Sequence, residues 1–295
     1  MKKKHILAGI IMGVSLALFS GCGNNGETVA EQQVTAETEW MDKEEVIEIP
    51  DFYSPEMDRE MVVRIYLPPN YMESTESYPV IYMPDGQNLF DTSTASYGKE
   101  WCIDETLDQM YQDNRTDGVI VVGVDSDEAT RNADYNLYLS SFENGGEGNV
   151  TKVTEFFACT LKPYIDENYR TLTDRENTAI IGSSYGAIVS ICASVSYPEV
   201  YGCTGAFSYC DNQNPARMTE YLKSNLTQEA FEGRKIYFFV GANDFARLSS
   251  EGAYEIAVEN GIENVAYISD ENGEHDENTW SKYVEDCLDF FGWLE

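Results

Sequence analysis

Thr178-Ala179-Ile180-Ile181-Gly182-Ser183-Ser184-Tyr185-Gly186-Ala187-Ile188-Val189-Ser190-Ile191 is the stretch whose reading decides the fold. Its first four residues form a short apolar run suited to a strand, and its last five suit a packed helix. Between them stands Gly182-x-Ser184-x-Gly186, the spacing of a nucleophile elbow. The chain has to turn sharply there, which leaves the serine strained and its hydroxyl at the carboxyl edge of a sheet. Glycines two before and two after it let strand and helix approach closely. The helix start beyond offers N–H groups and a positive dipole end to a developing oxyanion, the Tyr185 amide foremost. Such a pentapeptide arises by chance in roughly one chain in ten. The strand before it and the helix after it carry the reading.

Outward from the elbow, short β-branched and aromatic runs alternate with longer amphipathic segments. That is the pattern of a parallel sheet with crossover helices. Strands are expected over 61–67, 79–83, 118–124, 177–182, 205–209, 235–241 and 264–269. Helices are expected over 99–111, 153–169, 185–197, 219–224, 252–260 and 279–294. Residues 46–49 should pair antiparallel with 61–67 to open the sheet. Runs such as Gly118-Val119-Ile120-Val121-Val122-Gly123 are almost wholly apolar, as strands covered on both faces are. The expected class is α/β, a mostly parallel, doubly wound central sheet with helices on both faces.

A serine hydroxyl is a weak nucleophile unless a neighbour takes its proton, and histidine suits that task at neutral pH. The chain has two histidines. His5 lies in the leader, so His275 is the candidate base, between the last expected strand and the last helix. A carboxylate between serine and histidine in chain order would hold the imidazole. Asp244, in the turn after 235–241, is favoured over Asp211 and Asp270. A second oxyanion donor belongs in the loop after an early strand. Pro84-Asp85-Gly86-Gln87-Asn88 is that loop, with the Gln87 amide as candidate.

The ends and the composition bound the rest. Lys2, Lys3 and Lys4 precede an apolar run over 6–19 that is short for a span of about 20 residues and proportioned like a signal-peptide core. Leu18-Phe19-Ser20-Gly21-Cys22 resembles a bacterial lipobox, with Cys22 as the lipidated residue. Residues 1–22 are read as that leader, 23–40 as a polar, acidic tether and 41–295 as one catalytic domain. The expected location is the outer face of a bacterial cytoplasmic membrane, reached only through the anchor at Cys22. With 52 acidic against 19 basic residues the net charge is −33. Nucleic acid is excluded as a partner, because phosphate binding needs clustered Lys and Arg. Cys102, Cys159, Cys192, Cys203, Cys210 and Cys287 include no CxxC pair or Cys/His cluster, so neither metal nor cofactor is expected. They are read mainly as free, buried thiols.

Tyr78-Pro79-Val80-Ile81-Tyr82-Met83-Pro84-Asp85-Gly86-Gln87-Asn88-Leu89-Phe90-Asp91 resembles a signature segment of an α/β-hydrolase esterase family. That family includes esterase D, enterobactin-type siderophore esterases, feruloyl and acetyl xylan esterases, and mycolyltransferases. Trp101 with Asp104, Arg131 with Asp134-Tyr135, 163–165 through 169–171, the elbow, and Gly273-Glu274-His275 with Trp280 extend the likeness. It runs from about Tyr66 to Phe291. The resemblance implies cofactor-free cleavage or transfer of carboxylic esters, with Ser184, Asp244 and His275 as triad. Two departures stand out: Pro84 replaces a common histidine, and Tyr185 and Ala187 replace the usual Met and Gly beside the nucleophile. Asp85, Asn88, Trp101, Arg131 and Tyr135 are the candidate substrate-binding residues, though Trp101 and Tyr135 are equally candidates for core. The expected substrate is an acetylated or feruloylated glycan or another small extracellular ester. Siderophore esters, acyl transfer to a sugar hydroxyl, and a surface-binding lipoprotein without turnover are the alternatives.

Overall fold

Strand β5 (Thr178–Ser183) runs directly into the elbow and is buried along its whole length. The computed structural model that contains it describes residues 46–140 and 146–294. The expected leader, Cys22 and tether lie outside the described residues, as does the start of the expected domain. The strands of the central sheet before β5 are β1 (Ile47–Ser54), β2 (Arg59–Tyr66), β3 (Val80–Pro84) and β4 (Ile120–Val124). After it come β6 (Cys203–Phe207), β7 (Lys235–Gly241) and β8 (Val265–Asp270). They form one eight-stranded sheet in the order β1-β2-β4-β3-β5-β6-β7-β8. β2 pairs antiparallel with both β1 and β4, and every later neighbour is parallel. This is the α/β-hydrolase fold.

The helices are α1 (Ile103–Gln112), α2 over 150–168, α3 (Tyr185–Ser196), α4 (Pro215–Asn225), α5 (Arg247–Glu259) and α6 (Val284–Phe291). Alternation along the inner strands divides them between two faces. Val80, Tyr82, Ile180 and Phe238 point into a core with α2, α3, α4 and α5. Ile81, Met83, Ile181 and Phe239 point the other way, against α1 and α6. In α3 Ile188 and Ile191 are fully buried, each contributing about 2 kcal/mol by leaving water. A charged residue at either position would detach the helix that follows Ser184.

Several boundaries differ from the sequence reading, each for a local reason. β6 stops at Phe207 rather than residue 209, because Ser208 adopts a left-handed φ of 49°. α4 begins four residues early, with Pro215 in its first turn and Asn214 as its cap. Inside α2 the segment Phe156–Leu161 widens to a π-helix. Pro163 follows it, and a proline both lacks an amide and crowds the carbonyl four residues back. The expected helix over 279–294 is broken into a turn, Glu277–Trp280, a 3-10 segment, Ser281–Tyr283, and α6. Trp280 is held by partners across the sheet edge, a demand that periodicity does not reveal. The six cysteines from Cys102 onward are free; four are buried, Cys102 is half-buried and Cys159 is exposed. Burial pushes the Cys192 and Cys203 thiols up to about 12, which keeps them inert.

Candidate active site

Parallel strands deliver their following loops to one edge, and ligands bind outside that carboxyl edge in such sheets. Here it gathers Asp85 after β3, Ser184 after β5, Ser208 after β6, Asp244 after β7 and His275 after β8. Ser184 has φ 55° and ψ −122°, a conformation that costs on the order of 1–3 kcal/mol. Its amide donates to Phe207 O at 2.9 Å, tying the elbow to the end of β6. The tightness explains the glycines. A Cβ on Gly182 would lie 2.4 Å from Gly186 O.

From β6 the contacts pass to the histidine. Ser208 donates its hydroxyl to Asp244 Oδ2 at 2.6 Å and accepts from Trp280 Nε1 at 2.8 Å. Asp244 Oδ1 accepts from the Ala246 amide at 2.7 Å and lies 2.8 Å from His275 Nδ1. Burial raises the Asp244 pKa, but the bonds from His275, Ser208 and Ala246 outweigh it, and the carboxyl ends below its ordinary value. The Asp244 turn and the His275 loop touch through two glycines: a Cβ on Gly241 would lie 2.3 Å from Gly273 C. Asp211, the rival acid, instead accepts from Ser249 at 2.8 Å and Tyr209 at 3.5 Å. The His275 ring lies tilted against exposed Phe245 at 4.1 Å and meets Trp280 edge-on at 5.2 Å.

The loop after β3 is locked from several sides. Asp85 has a left-handed φ of 61°. Arg131 Nε and Nη2 each donate to its carboxylate at 2.7 Å, and the Tyr135 hydroxyl accepts from its amide at 3.1 Å. The Gln87 side chain donates to Ser126 Oγ at 3.0 Å and accepts from the Ser126 amide at 3.0 Å. Thus the side chain of Gln87 braces the loop, while its amide belongs to a first helical turn, as does that of Tyr185. First-turn amides have no acceptor inside their helix and are free for an outside oxygen. The Pro84 ring packs against the elbow, 2.9 Å from a Cβ built on Gly182.

A family model described as "Putative esterase" matches residues 54–288, from the last residue of β1 to the middle of α6. The chain belongs to this esterase family. Among curated proteins it is similar to the uncharacterized protein YbbA of Bacillus subtilis (strain 168), 27% identical over 150 residues. That match takes in 49% of this chain and 54% of YbbA, so the chain spans about half the length of this relative. Among solved structures, the enterobactin esterase FES of Shigella flexneri superposes with a TM-score of 0.68 at 17% identity, covering 85% of this chain and 60% of that one. The CE1 ferulic acid esterase of Anaeromyces mucronatus gives 0.63 at 20%, covering 87% and 94%. At such identities these likenesses establish the shared fold.

The remaining expected residues of this esterase-family chain divide by surroundings. Asn88 is buried, donating to Glu277 Oε1 at 3.2 Å and accepting from the Ser96 amide at 2.9 Å. Burial raises the pKa of Glu277, with Asp85 and Asp276 adding to it. Trp101 is core, 5.0 Å from Phe207 and 5.6 Å from Trp280. Tyr135 is buried too, its ring 5.1 Å from the Arg131 guanidinium. Arg131 also lies 5.6 Å from the half-buried Tyr185 ring, whose hydroxyl donates to Asn212 Oδ1 at 2.6 Å. Sequence reasoning missed Ser208, Phe245 and the Lys99–Asp276 pair at 2.6 Å that fastens the loop before α1 to the residue after His275. The one available signal was adjacency, since Phe245 follows Asp244 and Asp276 follows His275. Glu100, Cys102 and Glu105 bring ligand atoms within 4.8 Å of one another near the start of α1, and all three are engaged in other interactions.

Proposed function

We propose that the chain is an exported serine carboxylesterase working through an acyl-enzyme. Ser184 Oγ attacks the ester carbonyl while His275 Nε2 takes its proton, and Asp244 fixes the imidazole and stabilises the imidazolium. The carbonyl oxygen, negatively charged in the tetrahedral intermediate, is held by the Tyr185 and Gln87 amides. His275 then protonates the departing alcohol, and water attacks the acyl-serine with His275 again as base. The observation that carries the reading is the 2.8 Å contact between His275 Nδ1 and Asp244. It leaves Nε2 for the nucleophile's proton, and Ser184 holds the elbow conformation at the same sheet edge.

Acylated glycans are the proposed substrates, with siderophore-type esters second. Likeness to a ferulic acid esterase supports the first and likeness to FES the second. The exposed Phe245 ring beside His275 suits the apolar face of a sugar or aryl alcohol. Export and lipidation at Cys22 complete the proposal, resting on the basic start, the apolar run and Gly21-Cys22. A Cys22→Ser variant would then lose incorporation of labelled fatty acid.

The test is turnover of p-nitrophenyl acetate by the parent beside Ser184→Ala and His275→Ala, followed by acetylated and feruloylated glycans. Activity in the parent that persists in Ser184→Ala would sink the mechanism.

A further inference from the structure

We infer that Arg131 is a positioning residue that neutralises Asp85 beside the point where the ester oxygen gains charge; this rests on the proposed oxyanion role of the Gln87 and Tyr185 amides. Asp85 stands two residues before Gln87, in a left-handed conformation that sets the angle of the loop. Its carboxylate also reaches the start of α3, since a Cβ built on Gly186 would lie 3.4 Å from Asp85 Oδ2. Asp85 therefore adjoins both halves of the proposed oxyanion site, the Gln87 loop through its backbone and the start of α3 through its carboxylate. The helix end that would stabilise an oxyanion equally attracts that carboxylate. Unpaired, Asp85 would repel the forming negative charge in a poorly screened setting.

Arg131 removes the conflict. Its fork covers both Asp85 oxygens at 2.7 Å each, a bidentate geometry that lysine cannot reproduce. Burial lowers the guanidinium pKa, but Asp85 more than offsets it, so Arg131 stays charged. Tyr135, four residues on, accepts the Asp85 amide through its hydroxyl. One short helical turn, Arg131–Asp134 with Tyr135 at its end, thus grips Asp85 by carboxylate and by backbone. That turn is itself anchored: Asp134 binds Arg59 at 2.7 Å and Asn149 at 3.0 Å. Arg131 makes no proposed contact with the ester; it acts through Asp85.

A charge cycle tests this on the full-length chain, with p-nitrophenyl acetate turnover and thermal melting measured for each variant. Arg131→Gln leaves Asp85 uncompensated, and kcat should fall on the order of a hundredfold with KM little changed. Arg131→Lys should fall between parent and Arg131→Gln. Asp85→Asn removes the charge along with one anchor, for a loss of about tenfold. Adding Asp85→Asn to Arg131→Gln should bring kcat back to the level of Asp85→Asn alone, an improvement through a second mutation that a purely structural role does not give. The inference is overturned if the double variant is no better than Arg131→Gln, or if melting falls while kcat per folded molecule holds. Should Arg131→Gln not fold, the double variant decides, since kcat well below that of Asp85→Asn contradicts neutralisation. Full activity in Ser184→Ala would instead remove the reading beneath the inference, whatever the cycle shows.

Discussion

Two arginines at opposite edges of the sheet, Arg131 half-buried and Arg234 fully buried, are handled in opposite ways. Arg131, at the carboxyl edge, is forked onto a carboxylate and its pKa is raised. Arg234, just before β7 at the amino edge, has carbonyls for partners: Tyr201 O at 2.7 Å, Ala230 O at 2.8 Å and Ser194 O at 2.7 Å. Burial, helped by nearby Arg175, pulls the Arg234 pKa down to about 10. At the amino edge a cation can serve as a strut, gathering the carbonyls that end α3 and precede β6 and β7. At the carboxyl edge a lone charge of either sign would act on the proposed reacting atoms, and there the guanidinium comes with its counter-ion. The difference lies in what each edge has to do.

The largest expected effect would break the comparison at its functional side. Ser184→Ala and His275→Ala should each lower p-nitrophenyl acetate turnover at least a few hundredfold with melting unchanged. Survival of activity in either would mean that the carboxyl edge is not where the chemistry occurs.

Arg234→Met sharpens the structural side. Three carbonyls lose a donor, costing about 3 kcal/mol and lowering the melting temperature by roughly 6–12 °C, while kcat of the folded protein stays put. A drop in kcat without a drop in stability would erase the distinction between the two edges.

Ser208→Ala lies between them. It strips one donor from Asp244 and leaves Trp280 Nε1–H without its acceptor. Turnover should fall about tenfold, the scale of one buried hydrogen bond, with the pH–rate profile reporting the changed imidazole environment. Loss of stability alone would assign Ser208 to the scaffold.

The smallest effect is a pH dependence of stability. Because the folded Asp244 pKa lies below its ordinary 3.8, the folded state binds fewer protons there, and stability rises with pH through that range. The contribution is complete above the ordinary value and is lost as pH falls through the folded one. Asp244→Asn should therefore flatten the melting curve against pH below about 4. An unchanged acid limb would place its cause in other carboxylates.

Most strands were legible because their runs are apolar on both faces, as β5 illustrates. Boundaries were less so. Nothing local announces that Ser208 turns left-handed or that Trp280 is held by Ser208 across the edge. The candidate oxyanion loop is read from its place after an early strand, and in the structure the Gln87 side chain also braces that loop. From the sequence Arg131 and Tyr135 read only as candidate substrate-binding residues, with Tyr135 equally a candidate for core; the structure adds that both bond to Asp85.

The sequence by itself determined the sheet class, the elbow at Ser184 and His275 as the single histidine after His5. Those follow from hydrophobic periodicity, glycine spacing and counting, all properties of neighbours along the chain. Only the tertiary structure decided that His275 takes Asp244 and not Asp211, that Ser208 links β6 to that pair, and that Asp85 meets Arg131. These depend on which strand ends lie side by side. Adjacency in a sheet of order β1-β2-β4-β3-β5-β6-β7-β8 joins residues tens of positions apart, and hydrogen bonds over 2.6–2.8 Å choose among carboxylates that the sequence ranks only by their place along the chain.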